Sequence, residues 1–272
     1  MASEDNSILK FPPKALSFDV FGTVVDWRKS VTAKLMDSAA SKISIALSSK
    51  DTSDRDDGRM LKLEEQDWNV FAQDWRNTYK QFTRNFVPGE TEWRDIDTHH
   101  YLSLIDLLKE RELDGIYTDA EVKDISLIWH FLDPWEDSSS GIRKLGSTFI
   151  TCTLSNGNIS LLEDLNKHGD LCFKKLQSSA NFKAYKPHPS TYQGAAKAMD
   201  LATSEVAMVA AHLNDLKAAR SCGFKTIYIE RKREEDWKTD SEEYRDAKSF
   251  VDMWVKEGEG GLLEVARRFG CE

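Results

Sequence analysis

"SFDVFGTVVDW", residues 17 to 27, decides how the rest of the chain is read. An apolar run beginning in "KALSFDV" ends on one carboxylate, Asp19, as a buried strand does when it delivers a polar group at its tip. A Gly-Thr pair, Gly22 and Thr23, turns the chain, and the sequence is apolar again at once. Two positions after the aspartate stands an aromatic residue, Phe21.

Outward from this stretch the character changes twice. Residues 1 to 10 read as a tail, and from about residue 28 the pattern is helical. "SSKDTSDRDDGR", residues 48 to 59, is polar and rich in turn formers and is expected to be a flexible loop. Beyond it Trp68, Phe71, Trp75, Tyr79, Phe82 and Phe86 recur at steps of three and four, predicting a long amphipathic helix. Leu102, Ile105 and Leu108 predict a second helix, and Val122, Ile125 and Trp129 a third, capped by Asp119. After "LDPWEDSSSG" strands and helices alternate: "STFITCTLS", a helix from Asn158 to about His168, "LCFKKLQSS", a helix opening at Pro189, "VAMVAA", a helix closed by Gly223, and "KTIYIE". Single helices between strands imply right-handed crossovers and a mainly parallel sheet. The economical architecture is an α/β core, residues 11–27 and 136–272, interrupted by a helical cap, residues 28–135.

Composition limits the partners. The 272 residues are 40% apolar, enough for a sizeable core, and the net charge of -9 with scattered Lys and Arg argues against a nucleic-acid surface. The four cysteines lack paired metal spacing and are expected to be reduced thiols. No apolar run approaches the roughly 20 residues of a membrane span, and nothing near the start reads as a signal peptide, so a cytoplasmic protein is expected.

Four strand ends carry polar residues: Asp19 with Thr23, Ser155 with Asn156, Lys186 after the third strand, and His212 to Asp215 after the fourth. In a parallel sheet these ends share one edge and converge on one crevice. Singly, each has a plain alternative: a strand terminus, a turn, a solvated lysine, a helix cap. Jointly they point to a site.

"FDVFGTVVDW", "LSNGN", "AYKPHPSTY" and "MVAAHLNDLKAARSCGF", in this order, resemble the haloacid dehalogenase superfamily and, within it, the type II (L-2-haloacid) dehalogenases. The resemblance runs from residue 15 to about 230 and implies a Rossmann-like core with an inserted cap. It implies that Asp19 is the nucleophile and Thr23 its hydroxyl partner. Ser155 and Asn156 would hold the substrate carboxylate, Lys186 would keep the nucleophile ionised, Tyr192 would follow it, and Asp215 would be the closing acid. In "DWRNTYKQF" it offers Arg76 as the halide-binding arginine, which also reads as a solvated flank residue. Two departures stand out. Ala210 and His212 replace a Ser and an Asn of some relatives, and Asn214 replaces an aromatic residue. His212 is either a pocket residue or a buried histidine with its hydrogen bond satisfied.

Phe21 selects between reaction types. The superfamily's phosphatases carry a second aspartate at that position, a general acid for the leaving alkoxide, and bind Mg²⁺ through an acidic cluster. Here Phe21 and the alanines of "VAAHLND" leave Asp215 alone. Halide leaves carbon without a proton, so displacement at C2 of a short 2-haloacid is expected, through an Asp19 ester hydrolysed by water activated around Asp215 and Lys186. In that reading Phe21 packs against the substrate carbon, and no metal or cofactor is needed. The alternatives are a phosphatase of the same fold acting on a small phosphate ester and a catalytically silent binding protein. The expected partner is a small anionic substrate, and the aromatic-rich cap helix is a candidate homodimer surface.

Overall fold

The computed structural model describes residues 7–48 and 62–272. The loop expected at 48–59 lies outside them, apart from Ser48, and so do the first six residues of the expected tail. The rest of that tail is not loose. Residues Ser7–Lys10 form a helical turn, α1, whose Ile8 is buried against the core.

Five parallel strands make one sheet: β1 (Ala15–Phe18), β2 (Ile150–Thr153), β3 (Val206–Ala210), β4 (Lys225–Ile229) and β5 (Met253–Val255), in the order β2-β1-β3-β4-β5. β1 and β3 are buried at every position, as strands covered on both faces must be. In register, Phe18 lies beside Thr153 on one side and Val209 on the other. The loops after β1, β2 and β3 therefore leave the sheet at one level. The chain goes from β1 to one side and returns to the other, so the crevice between β1 and β3 is the switch point where α/β sheets bind ligands.

One strand expectation changes, and one strand has no counterpart in the sequence reading. "LCFKKLQSS" runs beside β2 but makes only two isolated bridges, Cys152 to Lys175 and Ser155 to Ser178. Its donors are diverted: the Gln177 N–H goes to Thr153 Oγ1 (2.8 Å) and the Ser178 N–H to Asn181 Oδ1 (3.1 Å). The edge strand β5, three residues long among charged neighbours, has no sequence periodicity to betray it.

Between β1 and β2 lie α2 (Trp27–Ser48), α3 (Glu65–Asn85), α4 (Ile96–Glu110) and α5 (Asp119–Ser126), the stretch we propose as the cap. The aromatic stripe of α3 faces inward, with Trp68, Phe71, Trp75 and Tyr79 buried. That part of the stripe is therefore used inside the chain. The apolar face of α4 is not the expected one. Leu102 and Ile105 are exposed, and Ile96, His100, Leu104, Leu107 and Leu108 are buried, because a 3.6-residue period puts 100, 104, 107 and 108 on one side. α5 is capped by Thr118 rather than Asp119: the Thr118 hydroxyl accepts from the Glu121 N–H, and the Glu121 carboxylate accepts from the Thr118 N–H.

Trp27, Trp75 and Trp129 weld these helices to the loop after β1. Trp129 stacks on Trp27 (5.9 Å) and meets Trp75 edge-on (5.4 Å), and Phe21 lies 6.1 Å from the same indole. Each such pair adds about 0.5–1.5 kcal/mol beyond the area it buries. The remaining helices, α6 (Ser138–Leu145), α7 (Ile159–His168), α8 (Pro189–Ala198), α9 (Leu213–Ser221), α10 (Glu242–Asp246) and α11 (Gly261–Arg268), belong to the sheet-bearing part. No helix among the described residues is long and apolar enough to cross a membrane.

Candidate active site

Asp19 is the first residue past β1, and its N–H is bonded to the carbonyl of Val209 in β3 (2.9 Å), which fixes where the side chain starts. Gly22 turns the chain with φ of +83°, a conformation side chains disfavour. Thr23 thereby comes back beneath the carboxylate: its Oγ1 donates to Asp19 Oδ2 (2.8 Å) and accepts the Ala211 N–H (2.9 Å). Lys186 Nζ donates to Asp19 Oδ1 (2.8 Å) and to Asp215 Oδ2 (2.6 Å). Asp215, in the first turn of α9, takes its second bond on Oδ1 from the Tyr192 hydroxyl (2.6 Å).

The electrostatics arise from this geometry. Burial alone would favour a neutral Asp19, but the Lys186 ammonium and His212 outweigh it and hold the carboxyl far below the usual range. Burial likewise disfavours a charged Lys186, yet the two carboxylates raise its pKa above that of an ordinary lysine. His212 places Nδ1 3.1 Å from Asp19 Oδ2 and Nε2 3.4 Å from Glu234 Oε2. Its burial would lower the pKa, and the two acids override that and lift it to about 9. The Glu234 contact is an ion pair without a formed hydrogen bond: Nε2 is buried and has no hydrogen-bond partner. Glu234 Oε2 accepts instead from Trp27 Nε1 (3.0 Å).

A cleft of about 170 Å³ opens onto this group, lined among others by Asp19, Arg76, Tyr79, Lys186, His212 and Asp215. Arg76 comes from the buried face of α3. Its guanidinium lies over the rings of Tyr79 (4.5 Å), Phe21 (5.4 Å) and Trp27 (5.5 Å), and among the described residues it makes no ion pair and no hydrogen bond. Neighbouring Lys80, by contrast, is paired with Asp236.

The other expected residues stand behind this wall. Ser155 Oγ accepts the Gly157 N–H (3.2 Å), and Asn156 bridges the Lys186 N–H (2.8 Å) to the Tyr79 hydroxyl (3.1 Å). Both are thus bonded within the chain, and Asn156 positions Lys186 and Tyr79. Tyr192 is fully buried behind Asp215, and Phe21 packs under Arg76. Sequence reasoning missed Tyr79, read only as part of an apolar stripe, and Glu234, which sits in the charged run "RKREED" where nothing local distinguishes it.

The Mg²⁺ that serves related phosphatases does not fit this donor set. The point between Asp19 and Asp215 is taken by an ammonium bonded to both, and a hard cation requiring about six oxygens would have to displace it. Among the described residues no three His, Cys, Asp or Glu side chains are grouped to hold a metal.

The family model for haloacid dehalogenase-like hydrolases matches residues 13–223. The chain is 27% identical to the (S)-2-haloacid dehalogenase 1 of Pseudomonas sp. (strain CBS-3) over 223 residues, 81% of this chain and 86% of that one. Its fold matches the crystal structure of the defluorinating L-2-haloacid dehalogenase Rha0230 with a TM-score of 0.77 and 28% identity, over 95% of this chain and 96% of that one. The match to the L-2-haloacid dehalogenase PA0810 has a TM-score of 0.74 and 29% identity, over 94% and 99%.

Proposed function

The chain belongs to the haloacid dehalogenase-like hydrolases, and from that premise we propose that it displaces halide from a short 2-haloalkanoic acid without a metal. One observation carries this reading. A carboxylate held ionised by a lysine faces, across a small cleft, a buried arginine with no anion of its own. Asp19 attacks C2 from behind the carbon–halogen bond and forms an ester, and the halide departs with the bonding electrons to Arg76. No proton is required in this step, so an aromatic residue at position 21 is no handicap, and Phe21 supports the arginine instead. Hydrolysis of the ester yields the 2-hydroxy acid. The similarity to proteins named as (S)- and L-2-haloacid dehalogenases supports the choice of substrate class.

The test is a screen of chloroacetate, both enantiomers of 2-chloropropionate and a panel of phosphate esters, each with EDTA and with Mg²⁺. Halide release that survives chelation is expected. Turnover of a phosphate ester, abolished by EDTA and restored by Mg²⁺, would replace this reading with a phosphatase.

A further inference from the structure

The ester step requires something the halide step does not. Breaking down an aspartyl ester expels an alkoxide, a poor leaving group at neutral pH unless it is protonated as it departs. The water that attacks must also lose a proton. Phe21 can supply neither need. Lys186 is an ammonium, a donor with no lone pair, and Asp215 is engaged by Lys186 and Tyr192, one bond on each oxygen, whereas the imidazole Nδ1 of His212 lies directly on Asp19 Oδ2.

We propose that His212, oriented by Glu234, is the acid–base group that hydrolyses the Asp19 ester. The assignment rests on the function proposed above and adds the second half of the reaction. Its geometric basis is the way Asp19 is held. Lys186 holds Oδ1, and on Oδ2 the Thr23 hydroxyl (2.8 Å) and the imidazole Nδ1 (3.1 Å) meet. With Oδ2 as the oxygen that bonds C2, the ring stands at the oxygen that must leave, and Oδ1 is the carbonyl oxygen that becomes the oxyanion beside the ammonium. On the far side of the ring a carboxylate buried at 5% exposure lies 3.4 Å from Nε2, an ion-pair contact that favours a proton on that nitrogen.

The atoms balance. Water attacks Asp19 Cγ and gives one proton to Nδ1 while Nε2 keeps its own proton, facing the Glu234 carboxylate. The tetrahedral intermediate collapses, the Cγ–Oδ2 bond breaks, and the proton on Nδ1 passes to Oδ2, which leaves as the hydroxyl of the product. The second proton of the water goes to solvent from the restored carboxyl. One water is consumed and one proton appears with each halide.

The nucleophile itself readies the base. In the resting enzyme the ring is cationic, held so by Asp19 and Glu234. Esterification removes the charge on Asp19 and with it part of that hold, so the ring releases its proton when water needs a base. The ring is faced by Asp19 from the end of β1 and by Glu234, with Glu235 and Asp236 farther along the same loop. Of the nearby cations, Lys186 acts on Asp19, and Arg76 acts on Glu234 and Asp236.

His212→Gln and Glu234→Gln, checked for folding by circular dichroism, are mixed with (S)-2-chloropropionate, and chloride release and intact mass are followed together. His212→Gln is expected to release one equivalent of chloride per site and then stall, turning over about 100-fold or more slower, with the carboxyethyl ester trapped on the peptide that contains Asp19. Glu234→Gln is expected to keep the burst and to move the pH profile of the second step toward acid, because the ring loses a stabilising charge. A folded His212→Gln enzyme that turns over without accumulating ester, or shows no burst at all, overturns the assignment. So does an unshifted profile in Glu234→Gln for the role of that carboxylate. If the unaltered enzyme releases chloride, only the histidine assignment has failed. If it releases none from any 2-haloacid, the proposed function has failed and the assignment with it.

Discussion

Two buried cations face one cleft and are held in opposite ways. Lys186 lies between two carboxylates, each with a further hydroxyl partner, Thr23 on Asp19 and Tyr192 on Asp215. Arg76 has the faces of three aromatic rings and, among the described residues, no ion pair; Glu234 and Asp236 feel its charge only at longer range. The first is a closed network that fixes the charge on Asp19, the nucleophile we propose, before substrate arrives. The second is an open charge, stabilised by about 2 kcal/mol or less from each desolvated ring contact, and it gains most when an anion enters. The strand ends thus supply preorganisation, and the helix supplies the unpaired charge that the reaction satisfies.

Replacing the anion at the centre of the closed network is expected to have the largest effect. Asp19→Asn should lose at least about 10⁴-fold in turnover while remaining folded, since an amide is a poor nucleophile. The unaltered enzyme in excess, in H₂¹⁸O for a single turnover, should place the heavy oxygen in the Asp19 side chain and not in the product. Label in the product at the first turnover would remove Asp19 as nucleophile.

Lys186→Met should cost about 10²–10³-fold in turnover, as loss of a positioned charge does, and about 3 kcal/mol in stability, because two buried carboxylates then face each other. Urea unfolding read beside the rate separates the two. The corresponding change on the helix should break the pattern: Arg76→Met should lower kcat/KM about 10- to 100-fold and abolish inhibition by added bromide, yet alter stability by no more than about 1 kcal/mol. Equal destabilisation by both variants would mean that Arg76 is a structural cation like Lys186.

The smallest effect concerns pH. The pKa of His212 rises on folding from the ordinary 6.5 to about 9, so its contribution to stability is fully present below pH 6.5 and is lost as pH rises through 9. The stability difference between the unaltered protein and His212→Gln should therefore shrink from pH 6 to pH 9.5 in urea titrations. A constant difference would show that the ring does not carry the charge assigned to it.

Much of the closed network was legible from sequence because Asp19, Thr23, His212 and Asp215 follow strand tips, where topology alone brings distant residues together. Lys186 was grouped with them as the end of a third strand, although the segment before it makes only isolated bridges and the lysine arrives from a loop. What escaped was decided by packing. Ser155 and Asn156 flank a strand tip as expected, and the bonds their side chains make to Gly157, Lys186 and Tyr79 are visible only in the geometry. In α4, Leu102 and Ile105 matched a helical period that the burial of His100 and Leu104 overrides. Glu234 is invisible for another reason: it reaches the site from a loop, and neither period nor strand end marks it.

That loop has a consequence for how the enzyme can be altered. The Glu234 carboxylate occupies the space that a Cβ on Gly22 would need, so the turn after the nucleophile and a segment more than two hundred residues later interlock. Glu234 also lies beyond residues 13–223, the part of the chain shared with the family at large. An exchange of residues 230–236 in this chain would thus replace in one step the carboxylate that faces His212 and the group that fills the space behind Gly22, while the strands that carry Asp19 stay untouched. Gly22 would have to stay glycine wherever the new segment fills that space.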